Sequence, residues 1–301
     1  MAGFQTLVTH FIQPIEIEFG DTPGHPFHGN QHVDVGSDGE KTPKEKDPVD
    51  RQAAWVDKIS EKSEVINAKG VVLARMDPEI LERSARVMVE FEKQAPHMAS
   101  MTEITYGQLS DMKPGEIAGT VNIEPPGSVQ IDWAPLTGES AQFTTDALEN
   151  AFQSGGLSSN SIEGTVWHEL GHAAVDHLAN DGMLPGGGHW EKFPGSGDTE
   201  RFVHTAAEQL TLCQTTADVT GKDMREYSDR KDIALQLSHY AASNPRELVA
   251  EAYSAYKTMD RPGKIANSLG SWLDGKIADY EEAHAVTATA ALMQPMEIEF
   301  G

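Results

Sequence analysis

Cysteine is nearly missing. Cys213 stands alone among 301 residues, which excludes a disulfide framework and a thiolate zinc knuckle. Basic residues are scarce as well: 23 lysines and arginines face 47 acidic side chains, a formal net charge of −24. A chain so acidic lacks the cationic face that displaces counterions from nucleic acid or docks on anionic lipid, so neither nucleic acid nor membrane is an expected partner. No apolar run approaches the ~20 residues that span a bilayer. Met1–Gly20 has neither the basic start nor the small-residue cleavage site of a signal peptide. These absences predict a protein of the producing cell's cytoplasm, long enough for one large domain or two small ones.

What is present divides into stretches of different texture. Residues 1–50, rich in Pro, Asp, Gly and His beyond Gly20, predict a mobile acidic arm. Residues 51–96 predict a helical extension. Ala54, Trp55, Ile59, Val65 and Ile66 recur at helical spacing, and a second helix opens at Asp77 as cap with Pro78 behind it and stops at Pro96. Residues 97–293 predict the main domain. Its first part carries three short, mostly antiparallel strands at Met101–Tyr106, Ile117–Ile123 and Ser128–Trp133, separated by turns at 113–115 and 125–127. The rest is helical: a short helix to Gln153, one capped by Asn160 with Glu163 as capping-box partner and running to about Ala179, then Asp198–Thr220, Arg225–Ala242, Pro245–Thr258 and Ile265–Ala291. The tail 294–301 repeats the octapeptide of 13–20 with Met for Ile.

The chemistry concentrates in His168-Glu169-Leu170-Gly171-His172. On a helix, positions four apart share a face, so both imidazoles can reach one cation. Glu169 leaves His168 by about 100° of rotation, which suits a general base beside a metal-activated water. With 12 histidines in the chain, the pattern arises by chance in about four chains per hundred of this composition, so its context must decide. The motif sits mid-helix among Val166, Trp167, Leu170 and Val175. Gly171, costly in a helix by about 1 kcal/mol against Ala, predicts close approach of another segment.

A cation needs a third ligand. A pattern with a further histidine six residues past the motif is absent, because that position holds Leu178, and Val175 stands where the accompanying glycine would be. His177 points off the expected face. Glu247 and Glu251 lie four apart on a helix capped by Asn244, so one carboxylate can bind the metal while the other holds a histidine ring N–H.

His168 to His172, followed by Tyr240 and then Glu247-Leu-Val-Ala-Glu251, resembles the catalytic domain of anthrax-lethal-factor-like zinc metallopeptidases. This gluzincin-type group includes phage-encoded and toxin-associated proteins. The resemblance covers roughly 101–259 by element order, and only the two motifs match closely. Leu170 departs from an aromatic residue in the lethal factor. The resemblance implies an α+β, zincin-like metallopeptidase fold: a small, mostly antiparallel sheet packed on the HExxH helix, with Ser128–Trp133 as its peptide-pairing edge and Ile117–Ile123 beside it, then a mainly helical C-terminal half. It implies one Zn²⁺ held by His168, His172 and Glu247, with Glu169 as general base, Tyr240 as oxyanion donor and Glu251 as supporting carboxylate.

The expected function is therefore zinc-dependent endopeptidase, with a protein or peptide as substrate. The alternative is a virion or assembly protein with a structural zincin fold, contacting other virion proteins through its terminal tails. Gly24–Gln31 resembles a short motif of phage head-associated proteins, which fits virion association. A toxin-type effector would need a delivery partner, and self-removal of the tails is a further expectation of the protease reading. His189 beside Trp190 and His204 are expected on a loop and a helix surface. His25, His28 and His32 are too irregularly spaced for a metal shell, and Cys213 is expected to be a small buried residue.

Overall fold

The structure is a computed structural model that describes residues 77–106, 118–123, 128–133, 141–184, 189–192, 200–203 and 206–292. The acidic arm, the helix expected over 51–70, the turns at 113–115 and 125–127, His204 and both copies of the octapeptide lie outside them. In chain order the elements are α1 (Pro78–Gln94), α2 (Pro96–Ser100), β1 (Thr102–Tyr106), β2 (Ala118–Ile123), β3 (Ser128–Trp133), α3 (Ala141–Gln153), α4 (Ile162–Asn180), β4 (His189–Lys192), β5 (Glu200–Val203), α5 (Ala206–Thr220), α6 (Tyr227–Gln236), α7 (Pro245–Thr258) and α8 (Lys264–Leu292).

Two helices are buried on almost every side. Along α4 the buried positions include Ile162, Val166, Trp167, Leu170, Ala173, Ala174, Val175 and Leu178, and α7 buries an unbroken run from Leu248 to Ala255. A helix apolar all round must be enclosed by other elements. Here α1 and α8 lie against α4, and α8 and α5 against α7. Ile265, Leu269, Leu273, Ile277 and Tyr280 form the buried stripe of α8 at spacings of three and four. Trp167 sits edge-on to Phe91 of α1 (centroids 6.3 Å apart) and to Tyr253 of α7 (5.6 Å), each contact contributing about 0.5–1.5 kcal/mol beyond area burial.

The α+β expectation with its zincin-like, mostly antiparallel sheet is corrected. Where side chains are described the chain is predominantly helical, 76% against 1% in strands. The buried core described is helix packed on helix: α4 and α7 cover each other, and α1 and α8 pack beside them. Five strands form as well among the described residues, four to six residues long, and the three longest make one small sheet. Their order is β1-β3-β2, with β1 parallel to β3 and β2 antiparallel to it. Ser128–Trp133 is therefore the central strand, with both sides paired, and offers no free edge. Backbones of β2 and β3 lie against α4. β4 and β5 make a separate antiparallel ribbon, so His189 and Trp190 are in a strand instead of the expected loop, and the helix expected from Asp198 begins only at Ala206. No described helix is long and apolar enough to cross a membrane.

The close approach predicted at Gly171 is met by α7. A Cβ there would lie 3.0 Å from Ala250 Cα and 3.5 Å from Tyr253 Cβ. Gly171→Val is therefore expected to destabilise the fold by about 1–3 kcal/mol, the usual cost of overpacking, despite valine's better helix propensity than glycine. Urea unfolding measures this, and a variant as stable as wild type would contradict the contact.

Candidate metal centre

Each helix end that frames the centre has a local cause. Ser161 caps α4, its Oγ accepting from Gly164 N at 2.9 Å. The expected cap Asn160 instead donates to Glu149 Oε2 at 2.6 Å, and Glu163 takes a two-pronged ion pair from Arg83. At α7, Asn244 Oδ1 accepts from both Arg246 N and Glu247 N at 3.0 Å, with Pro245 in the first turn. Glu247 occupies the third helical position, where a capping-box carboxylate would turn back to the cap. With Asn244 supplying the cap, its side chain turns to α4 instead.

The helices run antiparallel in a fixed register. Ser254 Oγ donates to Gly164 O at 2.7 Å, Gly171 abuts Ala250, and Arg246 reaches Asp176. His168–Glu251 and His172–Glu247 are rungs of the same ladder. Glu247 Oε2 lies 3.1 Å from His172 Nε2 and 3.3 Å from His168 Nε2, and the two Nε2 atoms are 3.1 Å apart. Four-coordinate zinc with bonds of about 2.0–2.1 Å separates its ligand atoms by about 3.3 Å. The triangle formed by His168, His172 and Glu247 has the edges that such a site requires, and this trio can hold a metal ion.

The donor set supports the same conclusion. Glu251 Oε1 stands 2.9 Å from His168 Nδ1, a short but bent contact. A proton on Nδ1 leaves the Nε2 lone pair facing the triangle. Glu251 is itself held firmly: Oε2 accepts from Ser158 N and Ser238 Oγ, both at 2.6 Å, and its backbone carbonyl accepts from Ser158 Oγ at 2.8 Å. Burial opposes charge on His168, yet hydrogen bonds to Glu247 and Glu251 and the charges of Glu251 and Glu169 outweigh it and lift its pKa well above the ordinary histidine value. Burial likewise opposes charge on Glu247, but the His172 charge and the hydrogen bonds of both rings hold its carboxyl far below the usual carboxylate range. Three basic atoms thus crowd one point that calls for positive charge. A proton between His168 and Glu247 meets that demand in part, and a metal cation would engage all three atoms.

Glu169 is buried at 5% exposure on the adjoining strip of α4. The Tyr240 ring stacks beside that of His168, centroids 5.8 Å apart and planes 15° from parallel, and is 41% exposed. Its loop is tied down by His239 N and Tyr240 N donating to Gly155 O (2.8 Å) and Gly156 O (3.2 Å). Gly155 has φ +71°, a backbone state that favours glycine. His177 lies away from this cluster, buried, with Nε2 3.1 Å from Thr102 Oγ1, and Cys213 is half-buried beside a second apolar cluster.

Sequence reasoning missed the supports. Ser158 and Ser238 lie in ordinary polar loops and carry no pattern. Asp176 and Arg246 did leave a signal: one stands a helical turn past His172, the other directly before Glu247. No protein-family model, curated protein or solved structure matches the chain.

Proposed function

We propose that the protein is a zinc-dependent endopeptidase that hydrolyses peptide bonds in a protein or peptide substrate. The observation that carries this reading is the triangle of His168 Nε2, His172 Nε2 and Glu247 Oε2, with edges of 3.1–3.3 Å, beside a buried Glu169. The motif resemblance to anthrax-lethal-factor-like zinc metallopeptidases supports it. Zinc bound there would supply Lewis acidity toward a peptide carbonyl and bring the pKa of a water molecule down to about 7.

The chain's own groups do the rest. His168 and His172 offer neutral imidazole nitrogens, and Glu247 offers negative charge that offsets part of the cation's. Glu251 keeps the His168 proton on Nδ1 and the ring in place. Glu169 accepts the proton of the attacking water and delivers it to the departing amine. Tyr240, beside His168 and open to solvent on its other side, donates its O–H to the carbonyl oxygen as negative charge develops.

Metal analysis joined to digestion of a mixed peptide library tests the reading. The expected result is one zinc per chain and internal cleavage that a chelator stops and added zinc restores. A purified protein that takes up no zinc, or takes it up and cleaves nothing, would end the peptidase reading.

A further inference from the structure

We infer that Arg246 is a positioning residue of the zinc site: its buried guanidinium, bridging Asp176 on α4 and Glu208 on α5, fixes where the first turn of α7 presents Glu247 to the two histidines. The inference rests on the zinc reading above and deepens it.

Arg246 and Glu247 are neighbours whose backbone N–H groups share one acceptor, Asn244 Oδ1. They move as a unit. The Arg246 side chain points to Glu208, with Nη1 donating to Oε1 at 2.8 Å, and to Asp176, with Nη2 donating to Oδ1. Both acids are buried, Glu208 at 0% and Asp176 at 2% exposure. Asp176 stands one turn beyond His172 on α4, so the bridge occupies the rung next to the His172–Glu247 contact. Three helices, each carrying one member, meet at this point.

The other contacts between α4 and α7 constrain different motions. The Gly171–Ala250 approach limits how near the helices come, and Ser254 to Gly164 ties the far end. A slip of one residue along α7 would shift Glu247 by about 1.5 Å and turn it by about 100°, more than a bond of about 2 Å tolerates. At the end that carries Glu247, the ionic bridge resists this slip. Arginine suits the task because its planar fork addresses two carboxylates from different directions at once, which the point charge of lysine does not. Burial works against the guanidinium's charge, but Asp176 and Glu208 outweigh it and hold it firmly protonated.

The experiment compares zinc affinity in folded protein, by chelator competition, with the ligand-field absorption of the Co²⁺-loaded form as a readout of site geometry. The decisive variant is Arg246→Lys, which keeps every charge and loses the fork. Its expected zinc affinity is 10–100-fold below wild type, the range typical of groups that orient metal ligands, with a weakened cobalt spectrum. Lys257→Met is the control, because Lys257 lies on the same helix and pairs with Asp274 and Gln94 at its other end. It is expected to lose stability and keep its zinc affinity. Should Arg246→Lys fail to fold, Arg246→Met combined with Asp176→Asn and Glu208→Gln removes all three charges together and is expected to show the same loss. A folded Arg246 variant that binds zinc as tightly as wild type, with an unchanged cobalt spectrum, overturns the inference and leaves the zinc reading intact. The same follows if Lys257→Met loses as much affinity as Arg246→Lys. A wild-type protein that binds no zinc overturns the reading beneath it.

Discussion

Glutamine in place of Glu169 is expected to retain the zinc and to slow peptide cleavage by about 10²–10⁴-fold, the usual worth of a positioned general base. The substitution is close to isosteric, so the buried site on α4 keeps its shape. The three atoms that make the triangle belong to other residues, so the metal keeps its protein ligands. What disappears is the ability to accept a proton and return it. Metal content measured beside turnover on one peptide separates these effects. Turnover equal to wild type in a zinc-replete Glu169→Gln protein would remove Glu169 from the mechanism.

Loss of the Glu247 carboxylate is expected to have the largest effect on metal binding. In Glu247→Ala the triangle loses a vertex, and the two imidazoles keep facing each other without the anion that draws positive charge to them. Zinc affinity should fall by more than the 10–100-fold seen for groups that merely orient ligands. A chelator titration reads the affinity directly. Thermal unfolding reads it through linkage, since free zinc at a hundred times its Kd stabilises wild type by about 2.7 kcal/mol. Zinc should therefore raise the melting temperature of wild type and leave that of Glu247→Ala unmoved. A zinc-dependent rise of equal size in both would show that the metal binds elsewhere.

The parts of the structure legible in the sequence are those fixed by local rules. Asp77 caps α1 by accepting from Glu79 N and Ile80 N, Asn244 caps α7, and α7 spans the stretch its pattern marked, because cap, proline and apolar period agree there. Gly171 announced a close neighbour, since a helix interior tolerates glycine readily where a side chain would collide. The cap of α4 was displaced by one residue because Asn160 found a partner in Glu149, a contact eleven residues away that no local rule contains. The order of the sheet escapes local rules for a related reason. β-Branched residues mark strands, but whether β3 lies at an edge or in the middle depends on pairing with β1 across the chain. Pro96 stops α1, as its ring predicts, and also begins α2, since its fixed φ suits a first turn. At the candidate site, motif spacing points to His168 and His172 and leaves Glu247 and Glu251 as alternatives for the third ligand, while the choice of Glu247 and the naming of Tyr240 rest on the family resemblance. The serines and the arginine that hold them could not be named, because their partners come from elements far apart in sequence.

The antiparallel ladder has one further consequence. His172 and Glu247 stand 75 residues apart, so a cation bound between them would staple shut a long segment of chain. Capture of the ion would then be linked to the docking of the two helices, and a disturbance that parts them would release it. Occupancy by metal would in this sense gauge whether the core is closed.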